Sequence, residues 1–340
     1  MKKIINAPEN YVNEMLMGIY AAYPDQLCMA GSDPRCLVRT KKITGKVGLV
    51  TGGGSGHLPL FLGYVGDGLL DGCSVGEVFQ APNAEQMLAV TKEVDTGAGV
   101  LYIFGNYNGD KFNFKISAEM AEIEHNIRVA SVIAADDIAG PAPVDDNMPQ
   151  TRRGVAGIVF VYKCAGAAAK EGMSLDEVKR VAQKAASQLR TIGVALSACI
   201  VPRVGKPGFT IEQEKMAFGM GIHGEPGIRV EDLKSANDLV DDMLDAIFAD
   251  MPCAAGDEVA VLINSLGATP LDELYIMMNR VSHVLAEKKV SLYRAYIGEF
   301  ATSMEMAGTS ISILKLDGEL KRLLAAPANS PFFKQFQLEY

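Results

Sequence analysis

Three short apolar segments, each followed by a polar or glycine-rich turn and then by a helical stretch, restrict the fold of this chain more than any other feature. The apolar segments are 46–51, 99–104 and 129–134. They run into the turns Gly52–His57, Gly105–Asp110 and Asp136–Asp137, and helices are predicted at 84–91, 113–125 and 155–170. Strand, turn and helix in repeated succession are typical of an α/β layer with a parallel sheet. In such sheets ligands bind at the carboxyl ends of the strands, where these three turns fall.

The second half of the chain has a less regular pattern. A polar helix is predicted at 174–189, and the last two long strands, 291–297 and 310–316, are separated by a turn rich in Thr, Ser and Gly. We expect these two strands to pair with each other in antiparallel fashion. The sequence therefore predicts a two-domain α/β protein, with an N-terminal α/β domain and parallel sheet at 1–185 and a smaller α+β domain at 186–340.

Composition narrows the classes of partner. The net charge is −9, with 21% charged and 49% hydrophobic residues, so the chain has enough apolar residues for real cores and an acidic surface. An acidic surface repels phosphate backbones and anionic lipids, which argues against nucleic acid and membrane as partners. No run approaches the roughly 18 apolar residues of a membrane span, and polar residues soon follow Met1-Lys2-Lys3, where a signal peptide needs an apolar stretch. We expect a cytoplasmic protein.

The cysteines fit the same compartment. None forms a close pair at metal-ligand spacing, and several lie in apolar runs, so free thiols in a reducing environment are expected. The six are Cys28, Cys36, Cys73, Cys164, Cys199 and Cys253.

The Gly52–His57 loop invites a phosphate-binding interpretation that its residues do not support. A Walker A loop needs Gly-Lys-Ser/Thr at its end, and His57-Leu58-Pro59 stands there instead. The dinucleotide pattern fails as well, because His57 occupies the place of its third glycine. Two interpretations remain open: a backbone that a small ligand can approach closely, or a tight turn before a helix.

Candidate chemical groups are few. Asp110 could accept a proton from a substrate hydroxyl or could cap a helix that begins near Asn113. Of the four histidines, only His57 and His223 lie in glycine-rich loops. Neutral imidazole is a nucleophile at neutral pH. Zinc is disfavoured because no third ligand stands at convincing spacing. The pair Arg152-Arg153 could hold a phosphate group or could be a solvated charge pair.

Taken together, these loops resemble the substrate-binding K subunit of the dihydroxyacetone kinases. The resemblance runs along essentially the whole chain and rests on several motifs in matching order. They are Gly-Gly-Gly-Ser-Gly-His at 52–57, Gly63-Tyr64-Val65-Gly66, Asn106-Tyr107, Gly109-Asp110, Arg152-Arg153-Gly154-Val155-Ala156, Gly205-Lys206-Pro207, the Gly221–Gly227 loop, the segment 264–270 and Thr302-Ser303.

The resemblance implies roles for individual residues. His223 attacks a ketone carbonyl and holds the ketose as a hemiaminal, which selects carbonyl compounds over glycerol. Asp110 binds a terminal hydroxyl and acts as base, and His57 assists proton movement. Gly54 offers its backbone N–H to the ligand. The implied substrate-binding residues are Gly54, Ser55, Gly56, Gly105 and Gly109.

The resemblance also implies partners and cofactors. No cofactor or metal is expected on this chain, since nothing in it would cradle a triphosphate. ATP or ADP and magnesium are expected on a separate nucleotide-binding subunit, because the chain ends at Tyr340 where fused relatives continue. A homodimer acting in glycerol metabolism is implied too. The phosphoryl source, ATP or a phosphoenolpyruvate relay, stays open.

Two positions depart from the family pattern. Leu58 stands where the family commonly has Glu, and Gly105 stands where many relatives have a lysine that contacts the substrate. Both changes remove charge and enlarge the pocket, so a longer ketose such as erythrulose is an alternative substrate.

A ketose-sensing co-regulator of transcription is the alternative function. Such a protein keeps the covalent histidine and can dispense with the base, so the presence of Asp110 and His57 favours the enzyme. An aldolase-like or isomerase reaction would need a lysine in an apolar pocket, which the sequence does not offer.

Overall fold

The computed structural model describes residues 2–141 and 151–339. In chain order the helices are α1 Tyr11–Ala22, α2 Ala84–Val94, α3 Asn108–His125, α4 Ile158–Lys170, α5 Leu175–Ser187, α6 Ala236–Asp250, α7 Leu271–Glu287 and α8 Gly318–Ala325. The strands are β1 Leu27–Met29, β2 Cys36–Arg39, β3 Gly48–Ser55, β4 Gly72–Val78, β5 Val100–Gly105, β6 Val129–Ala134, β7 Leu189–Ala195, β8 Lys215–Phe218, β9 Arg229–Asp232, β10 Glu258–Ser265, β11 Ser291–Gly298, β12 Gly308–Leu316, β13 Ala328–Asn329 and β14 Lys334–Gln335.

The chain divides into two units, and the expected two-domain α/β class is confirmed. Unit 1 comprises Met1–Ala134, Val159–Ala185 and Glu319–Tyr340, and unit 2 comprises Ala135–Ile158 and Ala186–Gly318. The predicted boundary after residue 185 is one of the division points. The continuous domains 1–185 and 186–340 nevertheless differ from these units, because 135–158 belongs to unit 2 and 319–340 belongs to unit 1.

Hydrogen bonds explain why 135–158 belongs to unit 2 and 319–340 to unit 1. In unit 2, the buried carboxylate of Asp136 accepts bonds from the backbone N–H of Val155 (3.0 Å) and Gly157 (2.9 Å) and from the hydroxyl of Thr191 on β7 (2.6 Å). In unit 1, Asp67 and Asn329 exchange backbone bonds of 2.8 and 2.9 Å, which hold the C-terminal segment. Local sequence patterns carry no signal for either long-range contact.

Unit 1 is built on a six-stranded sheet with the order β1-β2-β4-β3-β5-β6. The four strands β4, β3, β5 and β6 are mutually parallel, as the repeated strand–turn–helix pattern predicted. Every residue of β3 and of β5 is buried, which is typical of strands covered on both faces. Beneath α2 and α3, the hydroxyl of Tyr102 bonds to those of Thr91 (2.6 Å) and Ser117 (3.0 Å), so its polar atom is satisfied inside the core.

Unit 2 has a mixed six-stranded sheet with the order β11-β10-β12-β7-β8-β9. The expected antiparallel pairing of the strands at 291–297 and 310–316 is wrong. Strand β10 lies between them, parallel to β11 and antiparallel to β12. The reason is α7, because a helix of 17 residues is a crossover that returns the chain parallel to β10. The next strand, β12, then occupies the other side of β10.

Asn264 ties β10 to the segment that follows β11. Its amide nitrogen donates to the carbonyl of Ala301 (2.8 Å) and to Ser310 Oγ (3.2 Å). Its amide oxygen accepts from the backbone N–H of Phe300 (2.8 Å) and Ala301 (2.8 Å). The side chain of Asn264 is fully buried, so each of these groups depends on it for a hydrogen bond.

We predict that Asn264→Ala lowers the free energy of unfolding by about 3 kcal/mol, because it leaves buried donors and acceptors unsatisfied. Urea denaturation measures the change. The control is Asn279→Ala, which removes the same amide from an exposed position of α7 and should change stability by less than about 0.5 kcal/mol. Equal effects of the two substitutions would contradict the assigned role.

Candidate functional site

The order of the parallel strands in unit 1 places the candidate site. From β3 the chain proceeds to β4 on one side, and β5 and β6 then follow on the other side of β3. The carboxyl ends of β3 and β5 therefore form a topological switch point, where open α/β sheets bind ligands. His57 follows β3, and the segment Asn106–Asp110 follows β5. Two of the sequence-predicted catalytic residues thus leave adjacent strands at the ligand-binding edge.

Two phenylalanines fix the ring of His57. Phe79 stacks on it with ring centroids 4.9 Å apart, and Phe61 meets it edge-on at 6.0 Å. The histidine is 1% exposed. Both phenylalanines have positive φ angles, 66° for Phe61 and 61° for Phe79. Bulky residues rarely adopt this conformation, and such strain concentrates at functional sites.

The glycine run makes this arrangement possible. A methyl group on Gly53 would overlap the ring of Phe61, and one on Gly54 would lie 2.6 Å from the backbone nitrogen of Gln80 and 2.8 Å from the Cα of Phe79. The glycines therefore admit the two aromatic residues that hold His57. The run also belongs to β3, which extends to Ser55, whereas the sequence predicted that a loop begins at Gly52.

Asp110 lies in the first turn of α3, two residues inside the helix. The interpretation as a cap for a helix starting near Asn113 is wrong, because α3 begins at Asn108 and its N-cap is Tyr107. The carboxylate is buried, and its Oδ1 has no hydrogen-bond partner among the residues that the structure describes. Burial raises the pKa of Asp110 to about 7. A carboxyl group with this pKa can take and release a proton near neutral pH.

The segment after β4 connects the two predicted catalytic residues within unit 1. Phe79 stacks on His57. Ala81, two residues further along the chain, lies against the first turn of α3. A methyl group on Gly109 would lie 3.2 Å from Ala81 Cβ, so the glycine permits the close approach of the helix. The amide of Asn113 donates to the carbonyl of Pro82 at 2.9 Å. The position of Asp110 is thereby fixed by the same segment that orients His57.

The residues predicted to bind substrate lie in these segments. Gly54 and Ser55 end β3, Gly56 follows with a φ of 98°, Gly105 ends β5, and Gly109 lies in the first turn of α3. The hydroxyl of Ser55 donates to the carbonyl of Gly76 at 2.8 Å, so this side chain holds β3 to β4. The ligand-binding roles remain predictions.

His223 lies in unit 2, in the turn between β8 and β9. Its side chain is mostly buried, with 20% of its surface exposed. Its Nδ1 lies 2.8 Å from Glu225 Oε1, and its backbone N–H donates to Glu225 Oε2 at 2.9 Å. Burial raises the pKa of Glu225, but the hydrogen bonds and charge of His223 outweigh it and lower that pKa to about 2. The carboxylate therefore stays ionised beside the ring.

The two arginines before α4 anchor unit 2, and their interpretation as a solvated charge pair is wrong. Arg152 is buried in an ion pair with Asp250. Arg153 pairs with the buried Asp137, with Nε 2.7 Å from Oδ2, and donates to the carbonyl of Gly219 at 2.9 Å. Each side chain is instead paired with a carboxylate, and phosphate binding by this pair remains a prediction. Arg153 also fixes the start of the loop that carries His223.

No group of three or more His, Cys, Asp or Glu side chains within 2–141 and 151–339 is arranged to hold a metal ion. Over the same ranges, no helix is both long enough and apolar enough to cross a membrane. The six cysteines are free thiols, and His125 and His283 are exposed on helices.

Sequence reasoning missed three residues of the candidate site. The carboxylate of Glu225 follows His223 by two positions, and this short spacing was a usable signal for a histidine–carboxylate pair. The roles of Phe61 and Phe79 depend on left-handed backbone conformations, which cannot be predicted from the residue type phenylalanine.

Comparison with known proteins assigns the family. The model of the Dak1 domain matches residues 17–332. The dihydroxyacetone-binding subunit of PTS-dependent dihydroxyacetone kinase 2 from Listeria innocua is 43% identical over 98% of this chain and 99% of that protein. D-erythrulose kinase from Mycolicibacterium smegmatis is 38% identical over 98% of this chain, which spans 57% of that longer protein. A solved dihydroxyacetone kinase operon co-activator superposes with a TM-score of 0.85 at 32% identity, covering 93% of this chain and 96% of its own.

The relatives that match along the whole chain are named as a dihydroxyacetone-binding subunit and an erythrulose kinase, and the fold is shared with a solved co-activator. The chain belongs to the Dak1 domain family, as the resemblance of its glycine loops indicated.

The raised pKa of Asp110 gives a prediction about stability. A carboxyl group with a higher pKa in the folded than in the unfolded state binds more protons when folded, so its contribution to stability falls as pH rises from about 4 to about 7. Asp110→Asn removes this loss. Relative to the unsubstituted protein, the variant should gain about 3 kcal/mol of stability between pH 5 and pH 8. Urea denaturation at several pH values measures this, and a difference that stays constant with pH would refute it.

Proposed function

We propose that this chain is the substrate-binding subunit of a ketose kinase. It binds a small hydroxyketone such as dihydroxyacetone covalently through His223 and presents a hydroxyl group for phosphorylation. The nucleotide and magnesium belong to a separate partner subunit. The observation that carries the proposal is the end-to-end match to a protein named as a dihydroxyacetone-binding subunit, which covers 98% of this chain and 99% of that relative.

The candidate groups support a division of the chemistry. A ring nitrogen of His223 attacks the carbonyl carbon, the π electrons of the C=O bond move to oxygen, and the oxygen takes up a proton. Asp110 accepts the proton of the hydroxyl group when that oxygen attacks the phosphoryl group. A pKa of about 7 suits this task, because Asp110 is then partly ionised at neutral pH and becomes a stronger base than an exposed carboxylate. His57, held between Phe61 and Phe79, binds the substrate and assists proton movement.

The two roles are separable by substitution. His223→Ala should abolish the ketose adduct that intact-mass spectrometry detects on the unsubstituted protein. Asp110→Asn should keep the adduct and reduce kcat of the complex with its nucleotide-binding partner by at least about 100-fold, in the range of general-base catalysis. His283→Ala removes an exposed histidine from α7 and is the control, with adduct and turnover unchanged. An adduct that persists in His223→Ala would overturn the covalent role.

A second candidate function is ketose sensing by a regulator of transcription. The similarity to a solved operon co-activator, with a TM-score of 0.85, favours it. Fold alone does not separate a regulator from an enzyme. The presence of Asp110 favours the enzyme, because the proposed phosphoryl transfer uses a proton acceptor and binding of a ketose does not require one. We therefore place the kinase function first.

The substrate within the ketose class follows from two neutral positions. Leu58 and Gly105 stand where the family pattern has charged side chains, so an additional CH(OH) group would meet neither a charge nor a long side chain there. The 38% identity to a relative named as D-erythrulose kinase supports this possibility. We propose erythrulose as the alternative substrate to dihydroxyacetone.

Turnover with each ketose decides between them. If the enlarged pocket is used, kcat/KM for one erythrulose enantiomer should exceed that for dihydroxyacetone by about tenfold, the scale of discrimination that one extra group gives. In Leu58→Glu, which restores the residue common in the family, the ratio should move towards dihydroxyacetone. A preference of the unsubstituted protein for the three-carbon ketose would refute the erythrulose proposal and leave the kinase function intact.

A further inference from the structure

The loop that carries His223 contains a second charged group whose placement is specific. Glu225 directs both carboxylate oxygens at His223, Oε1 at the ring Nδ1 (2.8 Å) and Oε2 at the backbone N–H (2.9 Å). A carboxylate only accepts hydrogen bonds, so Nδ1 carries the proton in this pair. The lone pair of neutral His223 then lies on Nε2. In histidine–carboxylate pairs of this kind the carboxylate fixes both the tautomer and the orientation of the ring.

The surroundings of Glu225 are built to keep the carboxylate there. A methyl group on Gly221 would overlap Glu225 Oε2 and would lie 2.6 Å from Arg153 Nη1, so carboxylate and guanidinium occupy the space beside this glycine. The backbone N–H of Gly221 also donates to the carbonyl of Glu225 at 3.2 Å. Arg153 is itself fixed by Asp137 and by the carbonyl of Gly219. The carboxylate is thus held within a closed turn, beside a glycine whose missing side chain leaves room for it.

In the proposed reaction the carboxylate of Glu225 would balance the positive charge that forms on the ring of His223. When Nε2 forms a bond to a carbonyl carbon, the π electrons move to oxygen, which takes up a proton from solvent. The ring keeps its proton on Nδ1, has bonds on both nitrogens, and becomes a cation. A fixed negative charge 2.8 Å away stabilises that cation, and the low pKa of Glu225 means that this charge is present throughout the neutral range.

We propose that Glu225 is a positioning residue, which directs the Nε2 lone pair of His223 at the ketose carbonyl and serves as the counter-ion of the cationic adduct. The proposal rests on the covalent role of His223 stated above, but its first part concerns the protein without substrate. Glu225 touches the nucleophile and not the reacting carbon.

The test uses Glu225→Gln, which keeps the size of the side chain and removes the charge. In the unsubstituted protein, ¹⁵N NMR of the histidine ring without ketose should show Nδ1 protonated and Nε2 unprotonated. In the variant the amide can donate or accept, so the two tautomers should become mixed. The dissociation constant of the ketose adduct should rise by roughly tenfold to hundredfold, the scale seen when a supporting partner of a histidine is removed.

Two further variants test whether the effect is specific to the charge and the position of Glu225. Glu231 is a half-buried residue of β9 whose carboxylate pairs with Arg229 and Lys234 and not with His223. Glu231→Gln should therefore leave the tautomer and the adduct unchanged. Gly221→Ala displaces the carboxylate without altering its charge, and it should reproduce the mixed tautomers. Urea denaturation establishes that each variant is folded.

The outcomes are distinguishable. A single Nδ1-protonated tautomer and an unchanged adduct in Glu225→Gln would overturn the role of Glu225 and leave the function of His223 standing. Absence of any adduct in the unsubstituted protein would overturn the covalent function and, with it, the counter-ion role. The tautomer measurement without ketose would still decide whether Glu225 orients the ring.

Discussion

The parallel pairing of β3 with β5 is the constraint on which the candidate site of unit 1 depends. These strands are neighbours in the sheet although β4 lies between them in the chain, and Gly48–Val50 pair with Val100–Tyr102. Their carboxyl ends therefore lie at the place where the strand order reverses, which is where open α/β sheets bind ligands. His57 and Asp110 both belong to segments that leave these ends. A shift in the pairing would move the two residues apart, whatever their own chemistry.

Much of unit 1 could be predicted, because its strands and helices have strong local patterns. The apolar runs became β3, β5 and β6 within a few residues of their predicted bounds, and the turns after β3 and β5 hold the candidate groups. The role of the glycines could not be predicted. Glycine removes a side chain, but sequence does not say what fills the space. Here Phe61, which follows β3, and the backbone at Phe79, which follows β4, fill it.

Unit 2 shows the limit of pattern reasoning more sharply. The segments β11 and β12 were recognised as strands, but their partner was misassigned because periodicity describes the faces of a strand and not its neighbours. The length of α7 was the neglected signal, since a long helix between two strands favours a parallel crossover. His223 was found from its glycine-rich surroundings, while Glu225 was overlooked. One of these glycines, Gly221, makes room for the carboxylate that holds the ring.

The energetics of Asp110 argue for catalysis over simple binding. A buried carboxylate whose Oδ1 lacks a hydrogen-bond partner among the described residues costs stability, and its pKa of about 7 expresses that cost. Asparagine or an apolar side chain would fill the same space in α3 without burying a charge. Glu225 is different, because its charge is satisfied by hydrogen bonds and serves to orient a neighbour. A protein that only sensed a ketose would need the second arrangement and not the first. The proposed kinase function would use both arrangements: one group to hold the carbonyl, and another to take a proton from the hydroxyl that is phosphorylated.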